Sequence, residues 1–303
     1  MREFLLKLYR FSNSWTGTIV IVLFVIFFVA QAFRIPSGSM KDSLLIGDHL
    51  FAKKFAYGIP MPHLPFLEVS IMPWSDKLKL FDGAKPKRGD VVIFRPPHDI
   101  KNHFVKRCVA LPNDELFLED KNLYLHPHEG DEYIKQTYKD FEVVERYGKL
   151  WVKNPYKKDH PGIHNDEKFT RDSLLVADMN GHIKKTISSS EYQTYSKSPS
   201  TIIRPTIEIF PKMFDMEVVK VEDDHYYMMG DNRDHSNDSR YWGSVPYENI
   251  EGTPWIVYFS IDENYEIRWD RVGKTPDELE KKTHLDKAIA ERILKDKDDH
   301  GLY

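Results

Sequence analysis

The stretch that constrains this chain most runs from Trp15 to Phe33. It is nearly continuous in Ile, Val, Leu, Phe and Ala, broken only by Thr16, Gly17, Thr18 and Gln31. A run of this length is just enough to cross bilayer hydrocarbon as a helix, which predicts a single transmembrane anchor over residues 15–33. Arg2, Lys7 and Arg10 precede it, and Ala30-Gln31-Ala32 near its end has the pattern of a leader cleavage site. The run is longer than a usual leader core, so an uncleaved anchor is favoured, with residues 1–14 as a short cytoplasmic tail and the bulk of the chain outside. Arg34, Lys41, Lys53 and Lys54 follow the span, but a long domain is translocated regardless of such charges. Pro36 biases Ile35 toward extended backbone, so the helix should end there. The next residues, Pro36-Ser37-Gly38-Ser39-Met40, place two serines at the bilayer surface.

The 303 residues of the whole chain carry 41% hydrophobic, 13% aromatic and 30% charged side chains, ordinary globular proportions. A net charge of -4 gives no reason to expect a nucleic-acid partner. The single cysteine, Cys108, excludes an internal disulfide and reads as a small core residue. Strand signals recur along the chain: Leu50 to Tyr57, Val91 to Phe94, His103 to Leu111, Leu123 to Leu125, Leu150 to Val152, Glu217 to Glu222, Tyr226 to Met229, Trp255 to Ile261 and Tyr265 to Val272. The pattern predicts a mainly β protein in which residues 34–115 and 219–303 form one antiparallel domain and residues 116–218 an inserted β-rich lobe. Thr275-Pro276-Asp277-Glu278 is a helix start, and a short terminal helix with Leu279, Leu285, Ile289 and Ile293 as its apolar stripe should follow. Between Ile59 and Phe81 four prolines interrupt an apolar segment holding Phe66 and Trp74, which reads as a core-covering loop or a surface dipping into the membrane interface.

Two features ask for chemistry. In the strand from His103 to Leu111, alternation puts Phe104, Lys106 and Cys108 on one face and Val105, Arg107 and Val109 on the other, so Lys106 emerges from an apolar face. The densest polar run, Gly230 to Gly243, contains Asp238 and Arg240, two apart and able to pair locally. It is not a calcium loop: counted from Asp234, the sixth residue is Ser239 and the twelfth Val245, where glycine and a bidentate carboxylate are required. Among His126, His128, His160, His164 and His182 only His160 and His164 have i, i+4 spacing, and they sit in a Pro-Gly loop. No metal and no cofactor is expected.

Read together, these pieces resemble the bacterial type I signal peptidases. The match lies in Ser37-Gly38-Ser39-Met40 through Gly47-Asp48, in Arg88-Gly89-Asp90-Val91-Val92, in Val105-Lys106-Arg107 with Leu111-Pro112, and in Gly230-Asp231-Asn232-Arg233-Asp234 through Ser236, Asp238-Ser239-Arg240 and Trp242-Gly243. The resemblance implies a membrane-bound serine endopeptidase of the inner membrane, active on its periplasmic side, that removes signal peptides from exported preproteins. It implies Ser39 as nucleophile and Lys106 as general base, a role open to lysine only when burial lowers its pKa. It further implies Ser37 as oxyanion donor, Ser236 as orienting partner of the lysine, and Asp238 and Arg240 as braces. Ile35, Met40, Leu44 and Phe104 would line a pocket for the small residues before the scissile bond. Asp42-Ser43 stands where the family usually has Pro-Thr, and Asn113 where it usually has Gly. Three other readings compete: a self-cleaving repressor-type serine-lysine protease, a Ser-His-Asp hydrolase, and a membrane-anchored, non-catalytic β-rich scaffold. The first lacks a DNA-binding domain, and the second lacks a Gly-x-Ser-x-Gly elbow around Ser39.

Overall fold

The structure is a computed structural model that describes residues 2–24, 30–61, 63–64, 69–70, 78–165, 170, 173–177, 183–188, 202–205, 208 and 211–299. It is mainly β. One sheet of seven strands combines β1 (Ala30–Arg34), β2 (Asp48–Lys53), β3 (Val91–Phe94), β4 (Phe104–Ala110), β10 (His225–Met229), β11 (Val245–Pro246) and β12 (Ile250–Ser260) in the order β1-β2-β12-β3-β4-β10-β11. A second sheet of five strands, β7-β8-β6-β5-β9, is built from β5 (Glu115–Glu119), β6 (Asn122–His126), β7 (Val143–Arg146), β8 (Lys149–Lys153) and β9 (Met216–Lys220). All pairings in both are antiparallel. Leu174–Ala177, Ile183–Ile187 and Ile202–Pro205 form a further three-stranded sheet, and a short helix, α3 (Asp131–Thr137), lies between β6 and β7 in the chain.

Val91-Val92-Ile93-Phe94 is apolar throughout because both faces of β3 are covered. Val91 and Ile93 pack with Ile35, Met40, Leu44, Leu50 and Val257 on one side. Val92 and Phe94 pack with Cys108, Tyr226, Met228 and Tyr247 on the other. The alternation anticipated in β4 holds: Phe104 and Cys108 join the second of these clusters and Val105 the first. A third cluster, with Val109, Leu116, Leu123, Leu125, Tyr227 and Met229, ties the two large sheets together.

Three expectations are corrected. Of the apolar segment expected to be helical from residue 15 to 33, Trp15–Phe24 is a helix, α2, preceded by α1 (Arg2–Ser12). Residues 25–29 lie outside the described residues, and Ala30–Arg34 is strand β1, whose backbone pairs with β2 from Ala30 opposite Lys53 to Arg34 opposite His49. An edge strand thus takes the last turn of the presumed span, and among the described residues no helix is long and apolar enough to cross a membrane. Second, Tyr265 to Val272 is not a strand. Arg268 turns back to donate to Ser260 Oγ, Ile46 O and Ile261 O, and Arg271 to the Asp48 carboxylate, which folds the segment into a turn with a short 3-10 stretch at Trp269–Arg271. Third, the terminal helix is not short: α5 runs Pro276–Asp299. Its expected capping box forms, Glu278 N–H donating to Thr275 Oγ1 and Thr275 N–H to Glu278 Oε2. Of its expected stripe, Leu279 is buried while Leu285 is exposed, and the side chains of Ile289 and Ile293 lie outside those described, as do Phe66, Trp74 and His182.

Candidate active site

Ser39 sits in a tight turn, Gly38–Met40, that follows β1 and Ile35-Pro36. Met40 and Ile35 anchor the turn in the apolar cluster beneath it. β4 passes alongside and delivers Lys106 to the turn: Nζ and Ser39 Oγ are hydrogen-bonded at 2.5 Å. The lysine is 4% exposed, with Nζ 5.5 Å from the centre of the Phe104 ring. Burial is the main influence on its acidity and pushes the ammonium pKa down to about 8, against the opposing pull of the Asp238 and Asp231 carboxylates. A neutral amine in this position accepts the hydroxyl proton; an ammonium can only donate.

Ser37 Oγ is 3.4 Å from Ser39 Oγ, on the open side of the turn. Ser236 is buried near the pair, but its hydroxyl makes no hydrogen bond to Lys106. It lies against Gly230 and beside the Asp238 carboxylate, which it helps keep ionised. Asp238 and Arg240 do pair, through Nε to Oδ1 at 2.8 Å and Nη2 to Oδ2 at 2.9 Å. The pair closes across a helix start: Asp238 is the N-cap of a one-turn helix, α4 (Ser239–Trp242), and Arg240 lies in that turn. Asp238 also accepts from Gly230 N–H at 3.0 Å, and Arg240 donates to Arg233 O at 2.6 Å. Burial raises the Asp238 pKa, but the Arg240 guanidinium outweighs it and holds the carboxyl below its ordinary value.

A cleft of about 570 Å³ opens over Ser39 and Lys106, walled by Phe33, Ile35, Met40, Phe104 and Val105 and by Ser37. Three of the four residues expected to contact substrate therefore do line it. Leu44 does not: it is fully buried in the same cluster as Ile35 and Met40, beneath the floor, because its turn faces the core. Two histidines also reach the cleft. His103 Nε2 is 2.9 Å from Glu251 Oε2, Glu251 being held in turn by Arg95, and neither His103 nor His235 bonds Ser39.

Several supporting residues were not recognised in the sequence. Arg107, the neighbour of Lys106 on the opposite face of β4, is fully buried and makes a two-pronged ion pair with Asp231, Nε to Oδ1 at 2.7 Å and Nη2 to Oδ2 at 2.6 Å. Ser43 donates to the same carboxylate at 2.6 Å, and the next residue, Asn232, donates its N–H to Ser39 O at 3.0 Å. The only signal was a charge inside an apolar strand; its partner lies 124 positions away. The loop 160–164 of the intervening segment lies on this ladder, with His164 N–H to Asp231 O and Arg233 N–H to His164 O both at 3.0 Å. His160 and His164 turn Nδ1 to Glu280 and to Gly162 O respectively and do not converge. Asp114, His128 and Glu129 do converge, but Arg88 fills their centre and donates to both carboxylates.

Gly230 marks the closest approach in the site. A Cβ there would lie 2.3 Å from Ser236 Oγ and 2.6 Å from Ser39 O, and the second of these is backbone that cannot step aside. Gly230→Ala is therefore expected to displace Ser39, lowering any activity that depends on this turn by about 30-fold or more and stability by about 1–3 kcal/mol. Steady-state kinetics and thermal unfolding of the variant measure both.

A family model described as "Signal peptidase, peptidase S26" matches residues 8–259. The chain is 42% identical over 301 residues to "Signal peptidase I" of Helicobacter pylori strain 26695, covering 92% of this chain and 97% of that protein. It is 40% identical to "Signal peptidase I" of Helicobacter pylori strain J99, covering 94% and 99%. To "Signal peptidase I" of Pseudomonas fluorescens it is 33% identical, covering 84% of this chain and 74% of the relative.

Proposed function

Because this chain belongs to the signal peptidase family, peptidase S26, we propose that its Ser39 and Lys106 are the nucleophile and the general base with which it works. The protein is a serine endopeptidase that removes signal peptides from preproteins. The observation that carries the residue assignment is the buried hydrogen bond between Lys106 Nζ and Ser39 Oγ. Neutral Lys106 takes the hydroxyl proton as Oγ attacks the scissile carbonyl carbon, and the ammonium then returns a proton to the leaving amine. The free amine next takes a proton from water, whose oxygen attacks the ester carbonyl, and the ammonium reprotonates Oγ as the leader leaves as a carboxylate. The Ser37 hydroxyl, beside Ser39, supports the charge that develops on the carbonyl oxygen. Ile35, Met40 and Phe104 take the small side chains that precede the cut. Asp238 and Arg240 hold the loop that carries Ser236, and Ser236 orients the lysine when substrate closes the cleft.

The α1 and α2 helices support membrane attachment of the amino-terminal segment. Trp15, Ile19, Val20, Ile21 and Val22 of α2 are all exposed, an apolar surface that lipid covers. The cleft then faces the extracytoplasmic side, where leaders emerge. A non-catalytic scaffold has no use for a lysine desolvated against a serine.

The test is the pH profile of kcat/KM for a synthetic precursor whose leader ends in Ala-x-Ala. The base acts only when neutral and Lys106 is pushed down to about 8, so the rate rises with pH, about tenfold per unit below the inflection, and levels off above it. An inflection in the ordinary histidine range, abolished by His103→Asn or His235→Asn, refutes the lysine assignment.

A further inference from the structure

The helix α5 lies beyond the residues that the family model matches, and its sequence showed only a helix start and an apolar stripe. Two of its side chains nevertheless reach residues that support the serine turn. Glu280 is 2% exposed, an unusual depth for a carboxylate. Its Oε1 accepts from Gly162 N–H at 2.9 Å, and its Oε2 lies 3.4 Å from Arg107 Nη2 and 3.3 Å from His160 Nδ1. Lys287 follows seven residues later, two turns on and therefore on the same face. Its Nζ pairs with Asp42 Oδ2, an oxygen that His164 Nδ1 approaches to 3.4 Å. Asp42 is the third residue after Ser39, is buried, and holds a left-handed backbone with φ 79°. A non-glycine residue keeps that conformation only where its surroundings fix it. The helix thus touches two separate supports of Ser39. Lys287 holds the chain that leaves Ser39, and Glu280 holds the Arg107–Asp231 pair, next to the Asn232 N–H bonded to Ser39 O.

We infer that α5 is a positioning element for Ser39, acting through Glu280 and Lys287. The inference rests on the reading of Ser39 as nucleophile. It accounts for the left-handed backbone of Asp42, which ion pairing to the terminal helix holds in place. Lys287 is exposed, and exposed ion pairs add little to stability, whereas small displacements of a reacting atom cost much of the rate. The signature is a loss of kcat out of proportion to any change in melting temperature.

The experiment measures kcat, KM and the melting temperature of the full-length enzyme in detergent with the Ala-x-Ala precursor peptide. Lys287→Met and Asp42→Asn, the latter keeping a residue that tolerates left-handed backbone, are each expected to lower kcat about tenfold with KM within about twofold. Lys287→Arg restores the rate, and the double variant D42N/K287M is no worse than D42N alone, because the two act as one pair. Glu280→Gln lowers kcat likewise; where it fails to fold, the Lys287 and Asp42 variants decide alone. Lys282→Met, on the same helix but paired only with exposed Asp270, is the unaffected control. Wild-type kcat in Lys287→Met, or a double variant whose loss is the product of the single losses, overturns the proposal. Undiminished cleavage by Ser39→Ala overturns the underlying nucleophile assignment instead, and is recognised separately from any α5 variant.

Discussion

Lys106→Met is expected to lower precursor cleavage by at least about 1,000-fold without unfolding the protein, and Ser39→Ala to do the same. The reason lies in what surrounds the amine. Lys106 is buried against Phe104, so a Met of similar length fills its space with apolar atoms and no desolvated charge remains. Its melting temperature should hold or rise. What disappears is the one group, among the described residues, hydrogen-bonded to Ser39 Oγ that can carry away its proton; the neighbouring Ser37 Oγ is a hydroxyl and no base. Lys106→Arg should be equally inactive, since a guanidinium stays charged at working pH and cannot accept. Because nucleophile and base act as a unit, the double variant S39A/K106M should lose no more than either single one. Cleavage of the Ala-x-Ala precursor above a tenth of the wild-type rate by either single variant removes the dyad.

Asp231→Asn should have the largest effect on stability, about 3–5 kcal/mol, with activity falling alongside it. Asp231 and Arg107 are fully buried, and the substitution deprives the guanidinium of its two-pronged carboxylate partner where no water can replace it. Glu280, 3.4 Å from the same nitrogen, offsets part of that loss but makes no second prong. Ser43 and Asn232 move with the loop, so Ser39 loses its support as well. Burial raises the Asp231 pKa, but the Arg107 guanidinium outweighs it and holds the carboxyl below its ordinary value. A depressed carboxylate pKa means that the pair's contribution is complete above the ordinary carboxylate range and is lost as pH falls through the folded-state value. Wild type should therefore lose stability on acidification more steeply than Asp231→Asn, as measured by thermal unfolding across pH. Equal slopes would show that the pair contributes nothing to folding. Replacing both partners by apolar residues of matching size should recover much of the stability, though not the placement of Ser39.

Much of this protein is written locally. The apolar tetrapeptide Val91 to Phe94 is a strand because its flanking turns and its composition leave no other use for it, and it is buried on both faces. The Thr275-to-Glu278 box starts a helix with bonds that close within one turn. Alternation alone placed Lys106 beside Phe104 and Cys108, and an amine so enclosed must lose part of its basicity. These signals depend on residues a few positions apart, whose geometry the backbone fixes.

The remaining features depend on partners distant in sequence. Ala30–Arg34 has the composition of a membrane helix end but becomes a strand because β2 supplies an edge for its backbone. Leu44 looks like a substrate contact until the turn is seen to direct it into the core. Arg268 and Arg271 turn a strand-like segment into a 3-10 turn by seeking oxygens near residues 46–48. Arg107 finds Asp231, Glu280 reaches Gly162, and Lys287 reaches Asp42 across separations of 124, 118 and 245 residues. The sequence by itself determined most of the strand pattern and the apolar setting of Lys106, because periodicity sets them; the assignment of Ser39 and Lys106 as the reacting pair rests on the family resemblance. Only the tertiary structure decided what holds those side chains still, because ion pairs and backbone contacts between remote segments exist only once the chain has folded.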